Sequence, residues 1–130
     1  MAGSSVTITP KLLGDVRKIE FAWVSDDSAG TASGATTFEV VGYLLKAVTV
    51  PSATAAPTAS YDITIKDENG IDVLNALGTD LSATATEIKT NLDGLGLVQA
   101  TSLTLAVANA GNSKEGTVYL YFLDMSGNPL

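Results

Sequence analysis

Histidine and cysteine are both missing from this chain of 130 residues. Without histidine, the commonest general base, metal ligand and activator of a serine hydroxyl is gone. Without cysteine there are no disulfides, thiolate metal sites or thiol nucleophiles, and the fold must hold by packing alone. Basic residues are scarce: seven Lys and Arg stand against fourteen Asp and Glu, for a net charge of −7. Arg17-Lys18 is the one adjacent basic pair in the sequence. A phosphate backbone is bound by clustered cations that displace its counterions. Nucleic acid and an anionic membrane are therefore not expected as partners. Long apolar runs are missing too. The longest, residues 40–45, is interrupted by Gly42 and falls far short of the ~20 residues of a membrane span. Residues 1–5 lack a basic patch followed by an apolar stretch, so no signal peptide is expected. Synthesis in a cytoplasm is expected, with any later location reached by assembly.

What the chain does have is apolar content, 45% against 16% charged residues. That is too apolar for a disordered chain and low in charge for an independent surface-exposed domain. A surface short of charge is often covered by another copy or a partner. The length suits one domain with its own core, here residues 1–130, with residues 1–10 as an N-terminal arm or first strand.

Side-chain alternation has the period of two that marks strands. Val6 and Ile8 alternate with Thr7 and Thr9; Ile19, Phe21 and Trp23 with Lys18 and Glu20; Ile63 and Ile65, following Tyr61, with Asp62, Thr64 and Lys66; Leu103, Leu105 and Val107 with Thr104, Ala106 and Ala108. Each pattern predicts an antiparallel strand with one face to the core. Residues 37–50 are extended-prone but apolar on both faces, with Gly42 as the expected bulge. Residues 117–123 are also apolar on both faces, which suits either a central strand or a strand at a subunit contact. Loops are expected at 25–36 and at 51–57, where Pro51 and Pro57 disfavour a central strand. Asn69-Gly70 predicts a type I′ hairpin joining residues 61–68 to 71–74, and 109–116 a hairpin joining the last two strong strands. Near residues 84–92 two readings stay open. Thr84 and Glu87 have capping-box spacing for one short helix ended by Gly94 and Gly96, whereas the threonines favour a strand over 86–90. About eight short strands give an all-β fold, an antiparallel β-sandwich of possible jelly-roll type, with a closed barrel as the alternative.

Candidate chemistry is thin. Hydroxyls are plentiful, but Lys46, Lys66 and Lys89 stand in no Ser-x-x-Lys pattern. Carboxylate pairs at Asp26-Asp27 and Asp67-Glu68, with Asp72, suit glycoside hydrolysis in principle, but few aromatic residues remain to stack on a sugar. Asp67, Asn69 and Asp72 surround Gly70 and are weak candidate metal ligands; a calcium loop begun at Asp67 would require glutamate where Gly78 stands. Gly94-Leu95-Gly96 has no phosphate-loop context. No catalytic residue, cofactor or enzyme activity is expected.

The order of segments resembles a family of small structural proteins of tailed bacteriophages. The resemblance rests on residues 16–23 followed by Asp-Ser-Ala-Gly-Thr-Ala-Ser-Gly-Ala-Thr-Thr at 27–37, on Val48-Thr49-Val50-Pro51, on residues 57–74, on Ser-Ala-Thr-Ala-Thr-Glu at 82–87, and on residues 103–111 with Lys-Glu-Gly-Thr-Val at 114–118. It covers nearly the whole chain; no single piece is diagnostic. It implies a capsid decoration or cement protein on the outer face of a virion. The implied partner is the major capsid protein, and the implied oligomer a homotrimer. A trimer contact would cover the apolar faces at Val41, Tyr43, Leu45, Tyr119, Tyr121 and Leu123. The alternatives are a head–tail connector or tail component and, from another class, a carbohydrate- or receptor-binding β-sandwich with exposed loop aromatics.

Overall fold

The computed structural model describes residues 4–14, 16–90, 95 and 97–124. Among the described residues nine strands follow in order: β1 Ser5–Leu13, β2 Val16–Val24, β3 Ala32–Ala35, β4 Val40–Pro51, β5 Asp62–Lys66, β6 Glu87–Thr90, β7 Leu97–Thr101, β8 Thr104–Ala108 and β9 Glu115–Asp124. Among the described residues there is no helix. The strand pairs are antiparallel. The larger sheet runs β1-β2-β9-β4, and the far edge of β4 is shared, β7 pairing with its first residues and β6 with Lys46 to Thr49. The smaller sheet runs β3-β8-β5.

The pairings nest. β2 pairs with β9, β3 with β8 and β4 with β7, as though one long hairpin had been folded from both ends of the chain. Rolling that hairpin sets β4 beside β9 and β5 beside β8, which is the jelly-roll arrangement of two sheets. The sheets face each other across one core. Ile19, Phe21 and Trp23 of β2 and Val118, Leu120 and Phe122 of β9 meet Ile63 and Ile65 of β5 and Leu105 and Val107 of β8, all buried. Period-two alternation in each strand is what delivers these side chains to one side.

Trp23 packs at 5.7 Å and 47° against the buried ring of Tyr61. Burial, with the nearby charge of Glu87, pushes the Tyr61 hydroxyl up to about 12. Gly116 stands opposite Trp23 in register, and a Cβ there would lie 2.5 Å from Cζ2 of the indole. Gly34 on β3 makes a similar allowance, since a Cβ would lie 2.6 Å from Cβ of Val6. The edge strand β1 thereby folds down against β3, and Ser4–Pro10 packs on its own sandwich.

Several expectations need correction. The segment 25–36 is not all loop, because Ala32–Ala35 forms β3. Residues 109–116 do not make a hairpin, since β8 and β9 lie in different sheets and the segment crosses between them. The turn at Asn69-Gly70 is not type I′, for only Gly70 has positive φ, 79°. Its bonds, Gly70 N–H to Asp67 O and Asp67 N–H to Ile71 O, describe a longer loop with glycine in the bulge position. Residues 71–74 do not form a strand; a single bridge joins Asp72 to Lys66. Irregular backbone over 71–81 instead edges β5 through Val73 N–H to Ile65 O and Ile63 N–H to Gly78 O. The ambiguous stretch is the strand β6; there is no helix at 84–90. Glu87 accepts the N–H of Ser82 at 2.6 Å, so the cap-like spacing serves a bend. Gly94 and Gly96 lie outside the described residues. Gly42 does mark a register shift, against β7, with φ of 153°, and a second shift follows at Leu45 against β9.

Substituting Gly116→Ala is expected to displace the Trp23 indole and cost about 1–3 kcal/mol. Urea unfolding followed by tryptophan fluorescence measures it; an unchanged midpoint and emission maximum would show that the site tolerates a methyl group.

Candidate functional site

The side chains that face away from the core on β2, β9 and β4 make the outer face of the larger sheet. Register assigns them to rows running across the strands. Val16 on β2 stands opposite Leu123 on β9, which stands opposite Tyr43 on β4. In the next row Lys18 faces Tyr121, and Tyr121 faces Lys46. The third row is Glu20, Tyr119 and Val48, extended by Ile88 of β6. Tyr43, Leu123 and Ile88 are 48%, 41% and 57% exposed and gather on this face, while the other large exposed apolar side chains among the described residues, Leu12 and Ile71, lie apart from it.

Cations cover two of the rings. The Lys46 ammonium lies 4.8 Å from the centroid of Tyr121, and the Lys18 ammonium 5.0 Å from that of Tyr119. Each contact holds a charge over the negative face of a ring while the lysine stem covers apolar surface. The face is therefore a built surface, with its cations and rings held in register by the ladder beneath.

Of the six interface candidates, Tyr43, Tyr119, Tyr121 and Leu123 come together here. Val41, two residues before Tyr43 on β4, is half-buried. Leu45 falls at the bulge, where Leu45 and Lys46 together oppose Tyr121. Strict alternation would put Leu45 in the row; the inserted residue gives the position opposite Tyr121 to Lys46. Val16, Lys18, Lys46 and Val48 were not expected at this face. Their membership depends on which strands are neighbours, and no local pattern encodes that.

The candidate metal ligands are committed elsewhere. Asp67 Oδ1 accepts the N–H groups of Asn69 and Ile71 at 2.9 and 3.0 Å. Asp72 Oδ1 accepts those of Ile65 and Leu74, and its Oδ2 that of Ala76. Both carboxylates thus shape the segment beside β5, and Asn69 is exposed at the loop tip. Among the described residues no group of three or more acidic side chains is placed to hold a metal ion. Between β1, β2, β9 and the end of β4 lies a shallow depression of about 310 Å³ lined mostly by small side chains such as Ser5, Thr7, Ala22 and Thr117, with Glu115 as its carboxylate.

At the end of the sandwich Asp26 organises the turn after β2. Oδ1 accepts the N–H groups of Ala29, Ser28 and Gly30 at 2.5, 3.1 and 2.8 Å. These amide bonds hold its carboxyl below the ordinary aspartate value. The neighbouring Ser25 is fully buried; its hydroxyl donates to Gly111 O at 2.6 Å and accepts the N–H of Lys114 at 2.8 Å. These bonds tie the first loop to the crossover that precedes β9. The long loops carry no exposed ring: Phe38 is half-buried beneath the Arg17 guanidinium at 4.7 Å.

No protein-family model and no curated protein matches the sequence. Among solved structures, a cupin domain from Bordetella pertussis is similar over 94% of this chain and 97% of that one, at 12% identity and a TM-score of 0.39. No helix among the described residues is long and apolar enough to cross a membrane.

Folded Asp26 releases its proton at lower pH than the same residue in the unfolded chain. Its contribution is therefore full above the ordinary aspartate range and is lost as pH falls through the folded value. The stability difference between the native protein and Asp26→Asn is expected to shrink as pH is lowered through that window. Urea midpoints at a series of acidic pH values measure it; a difference independent of pH would show that the carboxylate charge contributes nothing.

Proposed function

We propose that this chain is a structural protein of a virus particle, a capsid decoration or cement protein that binds the outer face of the shell. One observation carries the reading: the larger sheet brings the half-buried Tyr119 and Tyr121 together with the exposed Tyr43 and Leu123 on its outer face. Beside it stands a sequence whose segments follow the order seen in small structural proteins of tailed phages. A jelly roll stapled by loop hydrogen bonds and free of cysteine, hence independent of redox state, suits a part that must add to a surface and stay there. The reading gives the chain no catalytic step, the major capsid protein as partner, the virion exterior as location, and a homotrimer as the form that adds to the shell.

The test is copy number in intact particles, measured by quantitative mass spectrometry. A shell protein is expected at on the order of hundreds of copies, because it follows the many equivalent positions of the lattice. A small ring about one axis would assign the chain to a head–tail connector or tail instead, and absence from the particle would overturn the virion reading. Light scattering of the purified protein is expected to give a trimer; a monomer at micromolar concentration would overturn the trimer.

A further inference from the structure

The chain is acidic overall, so a local excess of positive charge requires a reason. Strand register places Lys11, Lys18 and Lys46 in a single row across the outer face of the larger sheet. Lys11 on β1 stands opposite Lys18 on β2, Lys18 opposite Tyr121 on β9, and Tyr121 opposite Lys46 on β4. Three strand spacings separate the ends of this row, about 14 Å. Three of the seven basic residues of the sequence thus share one line. Among the described residues of this face the carboxylates are Glu20 and Glu115, and neither lies in the row.

Like charges directly opposite one another weaken a sheet. Lys11 and Lys18 are the directly opposed pair and bear that cost, while Lys18 and Lys46 each gain a cation–π contact with a tyrosine that partly offsets it. Two of its three cations are held over tyrosine rings, which fixes their positions before anything binds. On one side runs the apolar row Val16, Leu123 and Tyr43; on the other, Tyr119 and Val48, with the carboxylate Glu20 at the β2 end of that row.

We infer that this face is a docking surface for a partner protein presenting a strip of carboxylates bordered by aliphatic side chains. Cations in the middle, the apolar row Val16, Leu123 and Tyr43 on one side, and Tyr119 and Val48 on the other match such a strip, with Glu20 setting its limit at the β2 end. A nucleic acid fits less well. Three lysines release about three counterions, too few to hold a polyanion against a protein of charge −7, and the apolar rows find nothing on a phosphate backbone. A second copy laid face to face would set one lysine row against another, so the face is assigned to the partner, and the proposed trimer would have to form through other residues than those expected from the sequence. The inference names the surface that the proposed function requires, but it stands on the charge pattern and not on the particle.

The test uses the full chain, labelled with nitrogen-15, and three probes: a peptide alternating glutamate with leucine, a polyglutamate of equal charge, and a single-stranded oligothymidylate. The alternating peptide is expected to shift the amides of Lys18, Tyr121 and Lys46 and to bind more tightly than either other probe. Reversing charge with K18E and K46E together is expected to weaken that binding about tenfold or more, while K66E on the exposed end of β5 leaves it unchanged. Circular dichroism confirms that each variant is folded. The inference is overturned if the oligonucleotide binds more tightly than the peptide, if the peptide shifts amides elsewhere or none at all, if K66E weakens binding as much as the double variant, or if the face broadens through self-association alone. Absence of the chain from virus particles would sink the proposed function and leave this result intact.

Discussion

Strand β9 lies between β2 and β4, and its two rows of backbone hydrogen bonds join the first third of the chain to the middle. Its inward side chains, Val118, Leu120 and Phe122, fill the core that both sheets share. Its outward side chains, Tyr119, Tyr121 and Leu123, form the centre of the exposed face. One strand thus has two separate tasks on its two sides, which is why its sequence is apolar at every position from Val118 to Leu123. A central strand buried on both faces would have the same composition. Here only the inner side is covered.

The strands that border a single core were legible because parity reports burial directly. Ile19, Phe21 and Trp23 against Lys18 and Glu20 leave one register open to β2, and Ile63 with Ile65 do the same for β5. Strand β3 was hidden for a physical reason. Its Ala-Ser-Gly-Ala sequence has no large apolar side chain to alternate, and Gly34 is there to admit Val6 from β1. The crossover at 109–116 was misjudged because a short polar loop of turn-forming residues looks alike whether the chain turns back within a sheet or passes to the facing one.

The exposed face was legible in part. Alternation along one strand found Tyr119, Tyr121 and Leu123, and Tyr43 on β4. At the bulge Lys46 joins Leu45 opposite Tyr121, a neighbour that alternation along the strand does not disclose. The lysine row could not be found at all, since residues 11, 18, 46 and 121 become neighbours only through strand order. Asp67 and Asp72 drew notice by their spacing, yet Asp67 is engaged with N–H groups of its own loop and Asp72 with those of Ile65 on β5 and of Leu74 and Ala76. Side-chain oxygens satisfying local amides leave the same spacing in a sequence as ligands would.

Nested pairing has a consequence for how a polypeptide of this kind comes into being. Until residues 115–124 have been made, β2 and β4 flank an unfilled slot whose walls carry unsatisfied backbone donors and acceptors above an uncovered patch of Phe21, Leu44 and their neighbours. Any strand of the right parity fits there, and the best match in a crowded compartment is the same segment of an adjacent nascent chain. Exchange of β9 between copies is thus the error this topology invites, and being intermolecular it grows with the concentration of unfinished chains.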